Sequence, residues 1–456
     1  MNNWADCISY RRYGYPSTSP SGMRSEFTRD YDKIIFMSAF RRLQNKTQVF
    51  PLPGNVFVHN RLTHSLEVAS VGRSIGAFIG TEIANRYKDT LTEDEANFYI
   101  FELMGVIASA CLAHDVGNPA FGHSGEKAIS NYFISHADKQ LNGVTLRSHF
   151  TEGQWSDLVN FEGNANAFRL LTRKFKGKLD GGQRLMYLTL ASIIKYPCSA
   201  MQVDPDILHR KKYGYFLSDE KAFREVMDEF SDGNKPTEYF RHPFVYLVEA
   251  ADDICYRIID LEDAHRIGIL PRETIEGLLL KLLHDLRGDQ SRTREILGRL
   301  KDDNEAISYL RAKSINALVE KVTSVFLENS NAILSGTFNS SLMDEVENTC
   351  PSLVEIKEIS VRRIYNHPSV IEVELAGYNV MSELLSVFVE AVLTVKRSPL
   401  QKKCIQLISE QYNLSAEMVD PYEKTMGVLD FVSGMTDGYA TELYRKIKGI
   451  DIPAHK

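Results

Sequence analysis

The sequence predicts an all-α protein: a large helical bundle followed by a C-terminal helical subdomain, with at most one small hairpin. Three observations carry this. Apolar residues recur at the 3.6-residue period through most of the chain. Strand-like stretches are few, "NVFVH" (55–59) after "PLPG" being the one candidate arm of a hairpin. Glycine and proline near 178–182, 231–236 and 350–351 mark loops, not long linkers, and no internal repeat or low-complexity tail is present.

Taken in order, "RLTHSLEVASVGRSIGAFIG" (61–80) has apolar positions at 62, 66 and 69 and at 68, 71, 75, 78 and 79, the stripe of a buried helix. "EDEANFYIFELMGVIASACLAHD" (93–115) becomes so apolar in its second half that it reads as a central core helix. "GEKAISNYFISH" (125–136) restarts a helix after a break. Helical patterns then occupy roughly 157–175, 183–195, 219–230, 241–265, 272–289, 302–335 and 370–396, with two or three more to the end. Residues 1–310 are assigned to a core that carries the candidate site. Residues 311–456 are assigned to a helical subdomain packed on it.

Composition narrows the function classes. Hydrophobic residues at 43% and charged residues at 25% suit a globular protein with a sizeable core. No uninterrupted apolar run reaches the ~18 residues of a membrane span, and the N-terminus lacks a basic-then-apolar leader pattern. Six scattered cysteines without a CxxC favour reduced thiols, hence a cytoplasmic protein, over a disulfide framework or zinc ribbon. The net charge of −7 repels polyanions, so a phosphate-bearing ligand requires a locally basic pocket.

"CLAHDVGNPAFGHSGE" (111–126) concentrates two histidines, an aspartate and a glutamate around one chain break. Adjacent helical residues project about 100° apart, so His114 and Asp115 can share a metal only where the helix ends. Pro119 disfavours helical geometry at Asn118, and Gly117 and Gly122 permit the reversal. A divalent ion needs further N/O ligands. His64 lies on the 64–68–71–75 face of its helix, where a purely structural design would place Leu. The helix "FVYLVEAADDICYRIIDLEDAH" (244–265) opposes an oily face to a stripe of Glu249, Asp252, Asp253, Tyr256, Asp260 and Asp263. That stripe fits a solvated acidic face as well as a ligand-bearing one.

The order His64 … His114-Asp115 … Asp252 resembles the H…HD…D signature of the HD-domain phosphohydrolase superfamily. Residues 29–69, "AHDVGNPAFGHSGEKAI", "FEGNANAFRLL" (161–171), "KKYGYF" (211–216), "EAADDICYRIIDLEDA" and "SGMTDGYA" (433–440) are similar, in the same order, to blocks of the bacterial dGTPase-like deoxynucleoside triphosphate triphosphohydrolases. The resemblance spans nearly the whole chain.

It implies an all-α HD-domain bundle in which His64, His114, Asp115 and Asp252 hold a divalent cation, with Asp253 the neighbouring alternative to Asp252. Two imidazoles and two carboxylates suit Mn²⁺, Mg²⁺ or Fe²⁺ better than structural zinc. The implied reaction is attack of water on the α-phosphorus of a dNTP, giving deoxynucleoside and tripolyphosphate and serving dNTP pool control. His123 and Glu126 match the family's catalytic pair, the carboxylate one turn away orienting the imidazole. Arg61, Lys195, Lys212 (or Lys211) and Asn164 match residues that contact the phosphates. Gln48, Tyr256 and Asp260 match those that read the deoxyribose, the tyrosine ring excluding a 2′-hydroxyl. Gly163 departs from relatives that carry a histidine there.

The resemblance also implies a homo-oligomer, tetramer or hexamer, with "SGMTDGYA" and Arg362-Arg363 as interface candidates. Activation by a second dNTP belongs to the family and is not displayed by these residues. Two other readings stand beside this one: an HD phosphohydrolase acting on a cyclic nucleotide, a guanosine polyphosphate or a monophosphate, and a non-catalytic protein binding nucleotide or single-stranded nucleic acid. The Gln48, Tyr256 and Asp260 set argues against the first. The full ligand set and negative charge argue against the second.

Overall fold

The computed structural model describes residues 1, 3–15, 24–51, 58–177, 180–231, 238–412 and 420–451. The protein is all-α. The elements that build the site are α1 (Glu26–Phe36), α2 (Arg61–Arg86), α3 (Glu93–Ala113), α4 (Gly122–Ser135), α5 (Glu152–Val159), α6 (Gly163–Thr172), α7 (Tyr187–Ile193) and α8 (Val245–Arg266). They continue with α9 (Arg272–Arg287), α10 (Asp303–Glu328), α11 (Pro351–Ile359), α12 (Pro368–Leu393), α13 (Pro421–Ser433) and α14 (Asp437–Ile447).

α2 begins where Asn60 caps it: its side chain accepts the Thr63 amide, and Thr63 returns a hydrogen bond to the Asn60 backbone. α2 and α3 pack at close range because Gly72, Gly76 and Gly80 line one face of α2. A Cβ on Gly80 would stand 1.9 Å from the Tyr99 carbonyl oxygen, and one on Gly72 2.5 Å from Cys111 Sγ. α3 is continuous but carries a π-helical turn at Phe98–Glu102 opposite Gly80.

Two apolar cores organise the helices. The first gathers side chains from α1, α2, α3 and α7 through α11. The second gathers α4 and α5 with α12, α13 and α14. Buried Arg169 on α6 links them: its Nε donates to Asp430 Oδ1 at 2.7 Å and its Nη1 to Asp219 Oδ2 at 2.9 Å. The division near residue 310 is a proposal about folding units; Leu310 itself sits inside α10 and belongs to the first core.

Several expectations are corrected. The helix expected over 157–175 is two helices, because Asn160 turns back onto the Ser156 carbonyl and Glu162 caps a new helix through the Asn164 amide. The stretch 302–335 likewise breaks at Asn329. Of the hairpin expected at 55–59, residues 55–57 lie outside the described residues, and Val58 and His59 are not in a strand. The hairpin among the described residues pairs Gln140–Leu141 with Val144–Thr145. Its turn is Asn142-Gly143, both at positive φ (56° and 85°), the conformation a two-residue loop demands. Two helices, α3 and α12, do reach the length and hydropathy of a membrane span by composition, because the α3 run tolerates isolated polar residues; both bury much of that surface within the protein.

Candidate metal centre and its cleft

The end of α3, the start of α2 and the middle of α8 meet at one point. His64 Nε2 lies 3.0 Å from Asp252 Oδ1, and His114 Nε2 lies 3.5 Å from the same oxygen. Ligand atoms of His64, His114 and Asp252 all fall within 4.8 Å of one another. His114 Nδ1 donates to the Cys111 carbonyl at 2.6 Å, which fixes the ring and aims Nε2 at the cluster. Asp115 is close but turned aside: Oδ1 lies 3.6 Å from His114 Nε2 and accepts from Asn118, while Oδ2 accepts from Arg61 Nη1 at 2.8 Å. Asp115 is therefore outside the mutual trio.

The electrostatics favour a positive charge here. Burial would lower the His114 pKa, but the Asp115 and Asp252 carboxylates outweigh it and lift it to about 9. Burial would raise Asp252; the two imidazoles instead hold it well below the usual carboxylate range. Asp115 is likewise held low against its burial, chiefly by Arg61. Two imidazoles and an ionised carboxylate within coordination reach of one point fit a divalent cation. Asp253, the alternative to Asp252, is outside the trio; burial pushes its carboxyl up, and Lys195 is the chief group opposing that.

Arg61 is buried beside this point, its guanidinium lying over Gly122, where a Cβ would stand 2.4 Å from Nη2. Its Nε is buried without a partner. His123 and Glu126, one turn apart on α4, do not hydrogen-bond each other. Glu126 Oε1 accepts the Gly163 amide at 2.8 Å, at the start of α6, so the expected orientation of His123 by Glu126 is corrected. His123 projects into an open cleft of about 620 Å³ that it shares with Glu126, Lys127, Lys211 and Lys212. Its surroundings, then the cations of Arg61 and Lys212, depress its pKa. Glu126 is raised, by burial and then by the nearby Glu162 carboxylate.

At Gly163, two side-chain ends occupy the space a Cβ would take. A Cβ there would stand 2.4 Å from Asn118 Oδ1 and 2.6 Å from Glu126 Oε1, so no side chain fits without displacing both.

The remaining candidates fall into four groups. Lys212 Nζ pairs with Glu162 Oε2 at 2.7 Å, and Asn164 Nδ2 donates to Glu162 Oε1 at 2.5 Å. Lys195 Nζ lies 3.0 Å from Glu249 Oε1, whose other oxygen accepts from Arg241 at 2.8 Å. Both lysines are thus held by carboxylates in this state. Tyr256 stacks on Tyr365 with ring centroids 5.4 Å apart, and the Tyr365 hydroxyl donates to Asp260 Oδ2 at 2.7 Å. Burial pushes Asp260 up to about 8. Gln48 Oε1 is buried with no hydrogen-bond partner.

Sequence reasoning did not single out Glu162, Arg241 or Tyr365, and named Asn118 only at the helix break and Glu249 only as part of the acidic stripe. Glu249 had a signal, lying three residues before Asp252 on the same helix. Within the "SGMTDGYA" stretch, an interface candidate, Asp437 points inward, and its two oxygens accept the Thr47 and Phe121 amides.

Comparison with known proteins follows the same lines. Residues 61–195 match the HD domain family, and residues 342–446 match the phosphohydrolase-associated domain. The chain is 36% identical to a deoxyguanosinetriphosphate triphosphohydrolase-like protein of Synechocystis sp., over 98% of this chain and 100% of the relative. It is 35% identical to one of Pseudomonas aeruginosa, over 99% and 100%. It is 31% identical to the deoxyguanosinetriphosphate triphosphohydrolase of Yersinia enterocolitica, over 96% and 97%.

Proposed function

The chain belongs to the dGTPase-like family of HD-domain phosphohydrolases, and from that premise we propose that it hydrolyses a dNTP to deoxynucleoside and tripolyphosphate, with a role in dNTP pool control. The observation that carries this is the convergence of His64, His114 and Asp252 beside Arg61 and the His123 cleft.

His64, His114, Asp252 and Asp115 would hold a divalent cation, which when bound would supply Lewis-acid polarisation of an α-phosphate oxygen; Mn²⁺ and Mg²⁺ lead, with Fe²⁺ third. Arg61 balances the Asp115 charge and offers its unpartnered Nε toward phosphate oxygens. His123, kept neutral by burial and then by its cationic neighbours, takes a proton from the attacking water at a ring nitrogen and returns it to the 5′-oxygen as the bond between that oxygen and the α-phosphorus breaks. Lys212 and Lys195 exchange a carboxylate for phosphate oxygens when the triphosphate enters. Asn164 is released from Glu162 at the same time. Gln48 gains a donor from the 3′-hydroxyl for its orphaned oxygen, Asp260 serves as its second contact, and Tyr256 closes over C2′.

The test is product analysis of each dNTP, alone and in pairs, with Mn²⁺ or Mg²⁺. Tripolyphosphate is expected as the first product, absent in His114→Ala. Release of pyrophosphate or orthophosphate first would overturn attack at the α-phosphorus. The paired assays read whether a second dNTP activates, and sizing the active species distinguishes tetramer from hexamer.

A further inference from the structure

The turn between α3 and α4 contains two consecutive left-handed residues, Phe121 (φ 60°) and Gly122 (φ 54°). Left-handed backbone is unfavourable for a phenylalanine and persists only where its surroundings over-determine it. Here the C-terminal helices do so. The Phe121 amide donates to Asp437 Oδ1 at 2.9 Å, and the Phe121 ring fills the space left by Gly377 on α12, where a Cβ would stand 2.4 Å from the ring.

The other oxygen of Asp437 accepts the Thr47 amide at 2.8 Å. Thr47 precedes Gln48 and bridges to Asn60, the cap of the helix that carries Arg61 and His64. A second strut runs parallel: buried Lys46 Nζ donates to the Asn118 carbonyl at 2.5 Å and to the Ser433 carbonyl at 2.9 Å. One carboxylate therefore ties together two segments distant in sequence, one leading to Gln48 and Arg61, the other to His123.

We propose that Asp437 is a positioning residue, fixing the Thr47–Gln48 segment and the Phe121–His123 turn relative to each other, so that the phosphohydrolase-associated segment completes the active site. The catalytic part of this rests on the dNTP hydrolase reading; the coupling of the two segments does not. None of the metal trio touches Asp437, so metal affinity and substrate turnover should separate.

The experiment compares the full-length wild type with Asp437→Asn and Asp437→Ala. The alanine variant loses both acceptors. The asparagine variant keeps one oxygen for two amide donors, so it falls between. In the folded alanine variant, kcat is expected to fall by roughly a hundredfold, the effect of a misplacement of about 1 Å at a catalytic group. KM should rise as Gln48 is loosened, and calorimetric Mn²⁺ affinity without nucleotide should hold within about twofold. Hydrogen exchange should show residues 46–49 and 118–124 losing protection together. An unchanged kcat, a parallel loss of Mn²⁺ affinity, or loss of protection in only one segment would each overturn the proposal. If the wild type itself released no tripolyphosphate, the hydrolase reading would fall, and the exchange result alone would decide whether Asp437 couples the segments.

Discussion

At the residue scale, what decides the chemistry is the charge each side chain sees. His123 stands among cations and is held neutral at lower pH than a free imidazole, whereas His114 sits between carboxylates and is lifted. If His123 must be unprotonated to act, activity is lost as pH falls through its depressed pKa, so the acid limb of kcat/KM lies below pH 6.5. Removing the Lys212 cation should raise that pKa. Lys212→Met is therefore expected to move the acid limb upward, as a pH–rate profile would show; a limb that stays put or moves down contradicts the assignment. Of the candidate ligands, His64 and His114 were readable because they break an apolar pattern, whereas Asp252, one of an acidic stripe, was singled out only by the family resemblance. The partners of Lys195 and Lys212 were not, since no local pattern says which carboxylate a lysine reaches across tens of residues. Glu126 was placed by motif but not oriented, because its donor, the Gly163 amide, belongs to another helix.

Elements were legible wherever apolar period and caps agreed, as in α2 and α12, and less so where a side chain ended a helix early. Asn160 and Asn329 end helices by satisfying carbonyls one turn back, which apolar periodicity alone does not report. The Asn142-Gly143 hairpin carried a recognisable turn signal, but with strands of two residues it had no alternating pattern around it. The α2–α3 contact was invisible for another reason: glycine adds nothing to a hydrophobic stripe, yet Gly72, Gly76 and Gly80 set how near the helices come. A Gly80→Ala variant would drive its methyl into the Tyr99 carbonyl at the π-helical turn. It should lose about 1–3 kcal/mol of stability by urea unfolding, and because His64 and His114 ride on these two helices, weaken Mn²⁺ binding as well.

On the scale of the whole molecule, two cores meet at α6, and a buried arginine with two buried carboxylates sits at the join. Removing one member of such a set strands the charges of the others. Arg169→Met is expected to destabilise the fold by about 3–5 kcal/mol, whereas replacing Arg169, Asp219 and Asp430 together by apolar residues should recover most of that loss in the same urea titration. A triple variant no more stable than the single one would show that packing, not charge, holds the join. The all-α class followed from the sequence because helical period is a local property. The interleaving of the two cores did not, since α4 and α5 from the first half of the chain pack with α12 to α14 from the last.

That interleaving has a bearing on synthesis. A ribosome makes His64 and His114 first, Asp252 well after them and Asp437 later than all three. An N-terminal piece can be helical and can even gather the imidazoles, yet the Phe121 amide beside His123 has no acceptor until the start of α14 has been made. A chain interrupted before Asp437 is therefore expected to gather the candidate ligands without the braced turn.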